Sequence, residues 1–134
     1  MAGYSGTPLA KKLGIKPQAR VALLGAPQDF EAELVGLPDG VDLRRRLAAG
    51  TDVVVLFTTR RRHLERRFEP AARAVHPAGS VWVAWPKKAS GIETDLTENA
   101  LRDVGLPYGL VDNKVCAVNE TWSGLRFVWR RENR

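Results

Sequence analysis

The sequence holds one cysteine, Cys116, and only two histidines, His63 and His76, both in one arginine-rich segment. A lone cysteine excludes an internal disulfide and any cysteine-based zinc site built by this chain alone, and so thin a supply of ligands gives no metal site to expect. No run of eighteen apolar residues occurs, which excludes a membrane-spanning helix. The opening MAGYSGTPLAKK lacks the apolar block of a secretion signal. The expectation is therefore a cytoplasmic protein with no membrane partner. Low-complexity tracts are absent too. At 134 residues and 44% hydrophobic positions, the chain reads as one domain spanning residues 1–134, large enough to bury a core.

What is abundant is positive charge. Twenty-one basic residues, fifteen of them arginine, stand against 15 acidic ones, for a formal charge of +6. Such a balance permits an anionic small molecule, an acidic protein or a nucleic acid as partner. It requires none, because G+C-rich coding also puts arginine on solvated surfaces.

Ser80 to Gly91, SVWVAWPKKASG, organises the rest. Val81, Val83 and Trp85 fall on one side of an extended strand and Trp82 and Ala84 on the other, the pattern of a central strand covered on both faces. Pro86 cannot donate to a ladder, so the strand should stop there and leave Lys87, Lys88, Ser90 and Gly91 on a polar loop. Before it, Thr7-Pro8 and LAKKL predict a short capped helix closed by Gly14, RVALL (20–24) a buried strand, and Phe30 to Val35 a brief helix. Val41 to Leu43 reads as a short edge strand. DVVVLFT (52–58) is a second central strand. Leu64, Phe68, Ala71, Ala72 and Val75 then recur at helical spacing, with Pro70 as a kink or break. Thr94 or Asp95 would cap a helix ending at Gly105. Leu110 to Val118, a turn NETWSG and the alternating Leu125 to Trp129 predict a closing antiparallel hairpin.

Strands alternating with helices imply right-handed crossovers. The expected fold is α/β, a Rossmann-like three-layer sandwich on a mainly parallel sheet of about six strands. Its last strand should run antiparallel beside SVWVAW.

This order of elements, with LGIKPQARVALLGAP at its start, resembles a shortened class I S-adenosylmethionine-dependent methyltransferase fold. The resemblance implies a glycine-rich cofactor loop after the first strand and an acidic residue ending the second. Here the loop is Gly25-Ala26-Pro27-Gln28 and the second strand ends in Arg44, Arg45 and Arg46, so the fold matches and the cofactor motif does not; no cofactor is expected. The strings MAGYSGTPLAKKLGIKP, WVAWPKKASG, DLTE and GLVDNKVCAVNETWSGLRFVWR are similar to a family of small bacterial proteins, common in actinobacteria, grouped as a domain of unknown function. That likeness brings no catalytic residues with it.

In an open parallel sheet the ligand crevice lies outside the carboxyl ends of the strands. That rule gathers Gly25 to Gln28, Thr58 to Arg60, Pro86 to Gly91 and Asn119 to Gly124 on one edge. The ligand-binding candidates are Lys87, Lys88, Ser90, Gly91, Arg60, Glu120 and Trp122. Lys87 and Lys88 could hold phosphate or carboxylate, assisted by Ser90 and the amides at Gly91. Three arginines at a helix amino terminus oppose its dipole, and a nearby anion would offset the cost. Glu120 and Asp95 are the carboxylates that could meet the lysines. Both histidines are expected on a helix running away from this edge, leaving Ser123 without a base; Cys116, mid-strand, reads as a small buried hydrophobe.

The leading expectation is a noncatalytic binding or regulatory module, recognising an anionic small molecule or an acidic partner. A divergent S-adenosylmethionine-dependent methyltransferase, or another small-molecule enzyme, is the first alternative. Nonspecific nucleic-acid binding ranks behind it, since the aromatics are not interleaved with exposed basic residues.

Overall fold

The computed structural model describes residues 6–134. Six strands form one sheet: β1 (Arg20–Leu24), β2 (Asp42–Arg44), β3 (Val53–Phe57), β4 (Ser80–Pro86), β5 (Leu110–Ala117) and β6 (Trp122–Trp129), in the order β2-β1-β3-β4-β6-β5. The first four are mutually parallel, and β6 runs antiparallel to both β4 and β5. The final strand is therefore inserted beside SVWVAW, as expected of the Rossmann-like fold. Among the described residues three α-helices accompany the sheet: α1 (Leu9–Lys12), α2 (Arg61–Ala74) and α3 (Glu98–Gly105).

Burial on both faces fixes β4 at the centre. Val81 and Val83 join Leu64, Phe68, Leu101 and Phe127 in one core, beneath α2 and α3. Trp82 and Ala84 join Leu13, Phe30, Leu34 and Phe57 in the other. This second face is covered by the single turn of α1, a 3-10 turn at Phe30–Glu33 and their loops, more thinly than the first. The Trp82 indole N–H is buried there and donates to the Leu13 carbonyl at 3.0 Å, satisfying the polar end of a fully buried ring.

Several element ends differ from the sequence reading, each for a tertiary reason. α1 begins one residue late, with Pro8 rather than Thr7 at its N-cap. α2 passes through Pro70 unbroken, because its buried stripe of Leu64, Phe68, Ala71 and Ala72 holds both halves on the sheet while Pro70 sits exposed. α3 is capped by Thr97, whose side chain accepts from the Ala100 amide at 3.1 Å; Thr94 and Asp95 are committed elsewhere. The edge strand lies at Asp42–Arg44, one residue on from its expected place. β6 starts at Trp122, so Trp122, Ser123 and Gly124 belong to a strand and not to a turn: their pairing with Pro86, Trp85 and Ala84 overrides the local preference of Ser-Gly for turns. Among the described residues no helix is long and apolar enough to cross a membrane.

Candidate functional site

The strand order reverses at β1, with β2 on one side and β3 on the other, so the switch point lies at the carboxyl ends of β1 and β3. A cleft of about 240 Å³ opens there, lined by Gly25, Phe57, Thr58, Thr59, His63, Arg67 and Trp122. A larger hollow of about 390 Å³, beside Lys11, Ile15 and Pro38, sits among the segments entering β1 and β2, away from this rim.

Local chemistry builds the cleft. Gly25 has φ +65°, and a Cβ there would stand 2.9 Å from the Phe57 carbonyl oxygen; only glycine lets the end of β1 approach β3 so closely. The same position lies 3.8 Å from the Arg67 guanidinium. Phe57, Phe30 and Trp122 form an edge-to-face aromatic floor, with centroids 4.8 and 5.1 Å apart. His63 and Arg67 stand one turn apart on α2, and the i, i+4 spacing carries both to the same side. Among the described residues neither has an ion-pair partner, and no carboxylate lines the cleft. The lining therefore offers mostly donors over an aromatic floor.

The four loops expected on one edge do meet there. The Lys87 amide donates to the Thr121 carbonyl at 2.8 Å, and Thr94 Oγ1 donates to the Thr59 carbonyl at 2.6 Å. Asn119 Nδ2 ties the hairpin turn to Glu33 at 2.9 Å. Of the seven candidates, however, only Trp122 lines the cleft. Lys87 is half-buried and Lys88 exposed on a neighbouring 3-10 turn, Lys88–Ser90. Ser90 Oγ is used internally, donating to the Lys87 carbonyl at 2.6 Å and accepting from the Ile92 amide, and Gly91 caps the turn with φ 75°. Glu120 is exposed and, among the described residues, meets neither lysine. Arg60 pairs with Glu93 at 3.2 Å and does not line the cleft.

Two expectations are corrected outright. The anion that the helix dipole of α2 calls for is supplied by the chain itself: Asp95 Oδ1 accepts from the Arg61 amide at 2.8 Å, so Asp95 caps α2 rather than meeting the lysines. And His63 does not lead away from the rim, because α2 starts at the carboxyl end of β3 and His63 is in its first turn. Its position follows from the parallel β3–α2 order, and its spacing to Arg67 was the signal for both.

Where the methyltransferase resemblance implies an acidic residue after β2, Arg45 folds back over the loop following β1. It donates to the carbonyls of Ala26 (3.0 Å), Pro27 (2.8 Å) and Gln28 (3.2 Å), and makes a two-pronged pair with Glu31 at 2.7 Å. This hydrogen bonding holds the Glu31 carboxyl below its ordinary 4.5. Cys116 is half-buried on β5, and burial pushes its thiol above the usual value, against the pull of nearby lysines.

Solved structures share this architecture. A SAM-dependent methyltransferase from Aquifex aeolicus aligns with a TM-score of 0.65 at 12% identity, over 89% of this chain and 86% of its own. The fold is methyltransferase-like. A protein-(glutamine-N5) methyltransferase, release factor-specific, from Alicyclobacillus acidocaldarius aligns at 0.53 and 14%, over 92% and 91%. A possible exported protein from Bordetella parapertussis aligns at 0.64 and 11%, with 90% of this chain spanning 65% of the other. No protein-family model matches the sequence, and no curated protein matches it. At these identities the likeness is one of fold, and the cleft's chemistry is set by its own residues.

Proposed function

We propose that the switch-point cleft binds a small anionic molecule carrying a flat or apolar part. The observation that carries this reading is a concave site at the topological switch point that presents Arg67 and His63 above an aromatic floor, with no carboxylate in its lining. Arg67 would pair with the anionic group, Thr59 and the Trp122 edge would orient it, and Phe57 would take the apolar part. A cavity of this size suits a compact metabolite better than an acidic protein surface. Membership of the small bacterial family that WPKKASG and ETWSG resemble belongs to the same proposal.

The second reading, a divergent methyltransferase, is favoured by the shared fold. Against it stands the Arg45 tie, which occupies the place of the ribose-holding acid and engages the carbonyls of the loop that would cradle the cofactor. Calorimetry with phosphorylated metabolites, nucleotides, S-adenosylmethionine and its demethylated product separates the two. Binding of an anion that weakens about tenfold to a hundredfold in Arg67→Ala, the loss of one charged hydrogen bond, supports the first. Saturable binding of S-adenosylmethionine, with the anions inert, would move the assignment to the second.

A further inference from the structure

A second basic locus lies on the thinly covered face of the sheet at its β6–β5 end, where Arg126 stands four residues along β6 from the cleft-lining Trp122, or roughly 13 Å by strand rise. In the β5–β6 ladder the register slips between Asp112 and Lys114. Without that bulge, neutral Asn113 would follow Asp112 and stand opposite Arg126. With it, Lys114 stands there instead, so two like charges face each other directly, an arrangement that costs stability. Arg126 is also opposite Trp82 on its other side, which puts its stem on the second core. Its Nε is buried with no hydrogen-bond partner among the described residues. Neither Arg126 nor Lys114 has an ion-pair partner among them, and the five residues before Gly6, MAGYS, contain no carboxylate to supply one.

More positive charge lies along the same hairpin, towards its turn. Lys12 reaches across from α1 to the Ala117 carbonyl at 3.1 Å. Lys12, Lys114 and Lys87, from three separate elements, all act on the Cys116 thiol next to Arg126's neighbour Gly124. A polyanion calls for an even stripe of cations; Arg126 and Lys114 are instead a directly opposed pair.

We infer that the sheet face around Arg126 and Lys114 binds the phosphoryl group of a small phosphomonoester, with Lys12 and Lys87 at its margin. The β-bulge sets the two principal cations side by side, and an anion held between the outer ends of their side chains offsets the repulsion of the pair. This site is independent of the cleft and stands if the cleft proposal fails.

Titration of the full chain with inorganic phosphate, a nucleoside monophosphate and a single-stranded oligonucleotide tests it, followed by amide chemical shifts and calorimetry. The expected result is saturable binding of phosphate and monophosphate that shifts the β5 and β6 amides. Binding should fall about tenfold or more in both Arg126→Gln and the surface variant Lys114→Ala, one charged hydrogen bond each, and stay unchanged in Arg67→Ala. Equal phosphate affinity in wild type and Lys114→Ala, or binding of the oligonucleotide alone, would overturn the assignment.

Discussion

Asp95→Ala is the most informative single change, because α2 carries both His63 and Arg67 into the cleft and its amino terminus opens with three arginines and no acidic residue in the first turn. The helix end depends on a carboxylate delivered from another segment, 34 positions away in sequence, at 2.8 Å from the Arg61 amide. Losing a side-chain cap costs about 1 kcal/mol. Losing the charge beside the dipole adds roughly 0.5 kcal/mol at an exposed position. At about 4 °C per kcal/mol for a chain of this length, Tm should drop by roughly 5–6 °C. Asp95→Asn keeps the acceptor and loses only the charge, so its fall should be about 2 °C. Thermal melts followed by circular dichroism give both numbers. Hydrogen exchange at the first turn of α2 should quicken in the alanine variant, and anion affinity at the cleft should weaken with it. An alanine variant that melts within about 1 °C of wild type, or that matches the asparagine variant, would refute the view that α2 is capped from inside the chain.

Glu31→Gln tests the clasp on the loop after β1. Since Arg45 lowers the folded-state pKa of Glu31 below its ordinary 4.5, the contribution of its charge is complete above that value and fades as pH falls through the lowered one. Wild type should therefore exceed Glu31→Gln in stability at neutral pH, and the gap should close in acid; a gap constant with pH in urea titrations would contradict the pairing. Gly25→Ala forces a Cβ against the Phe57 carbonyl at 2.9 Å and strains a backbone at φ +65°, a loss of roughly 1–2 kcal/mol from the left-handed conformation alone. Its urea midpoint should fall with the slope unchanged.

The strands were legible because their signals are local. RVALL occupies β1 residue for residue, and the two-sided burial of Val81, Trp82, Val83 and Ala84 is what an apolar run ended by Pro86 implies. The alternation of Leu125, Phe127 and Trp129 likewise placed β6 at an antiparallel position. What escaped was set by reach across the fold. Thr94 and Asp95 have the chemistry of a local cap, yet they bond Thr59 and Arg61, and nothing in their neighbours says so. Arg45 looked like one of three surface arginines, while its long side chain spans to a loop 17 to 19 residues earlier. The rim itself followed from strand direction, but which side chains turn into the cleft depended on the phase of α2, and the pairing of His63 with Arg67 was visible only as a spacing.

The placement of β6 between β4 and β5 bears on how the molecule is born. Both of its neighbours leave the ribosome first, and the slot between them stays vacant until residues 122–129 have been made. Until then β5 has no strand to pair with, and β4, with Trp82 and Val83 along it, ends the growing sheet as a raw edge open to any other extended chain. A nascent chain halted just short of Trp122 would be an adhesive fragment, not a smaller version of the finished protein.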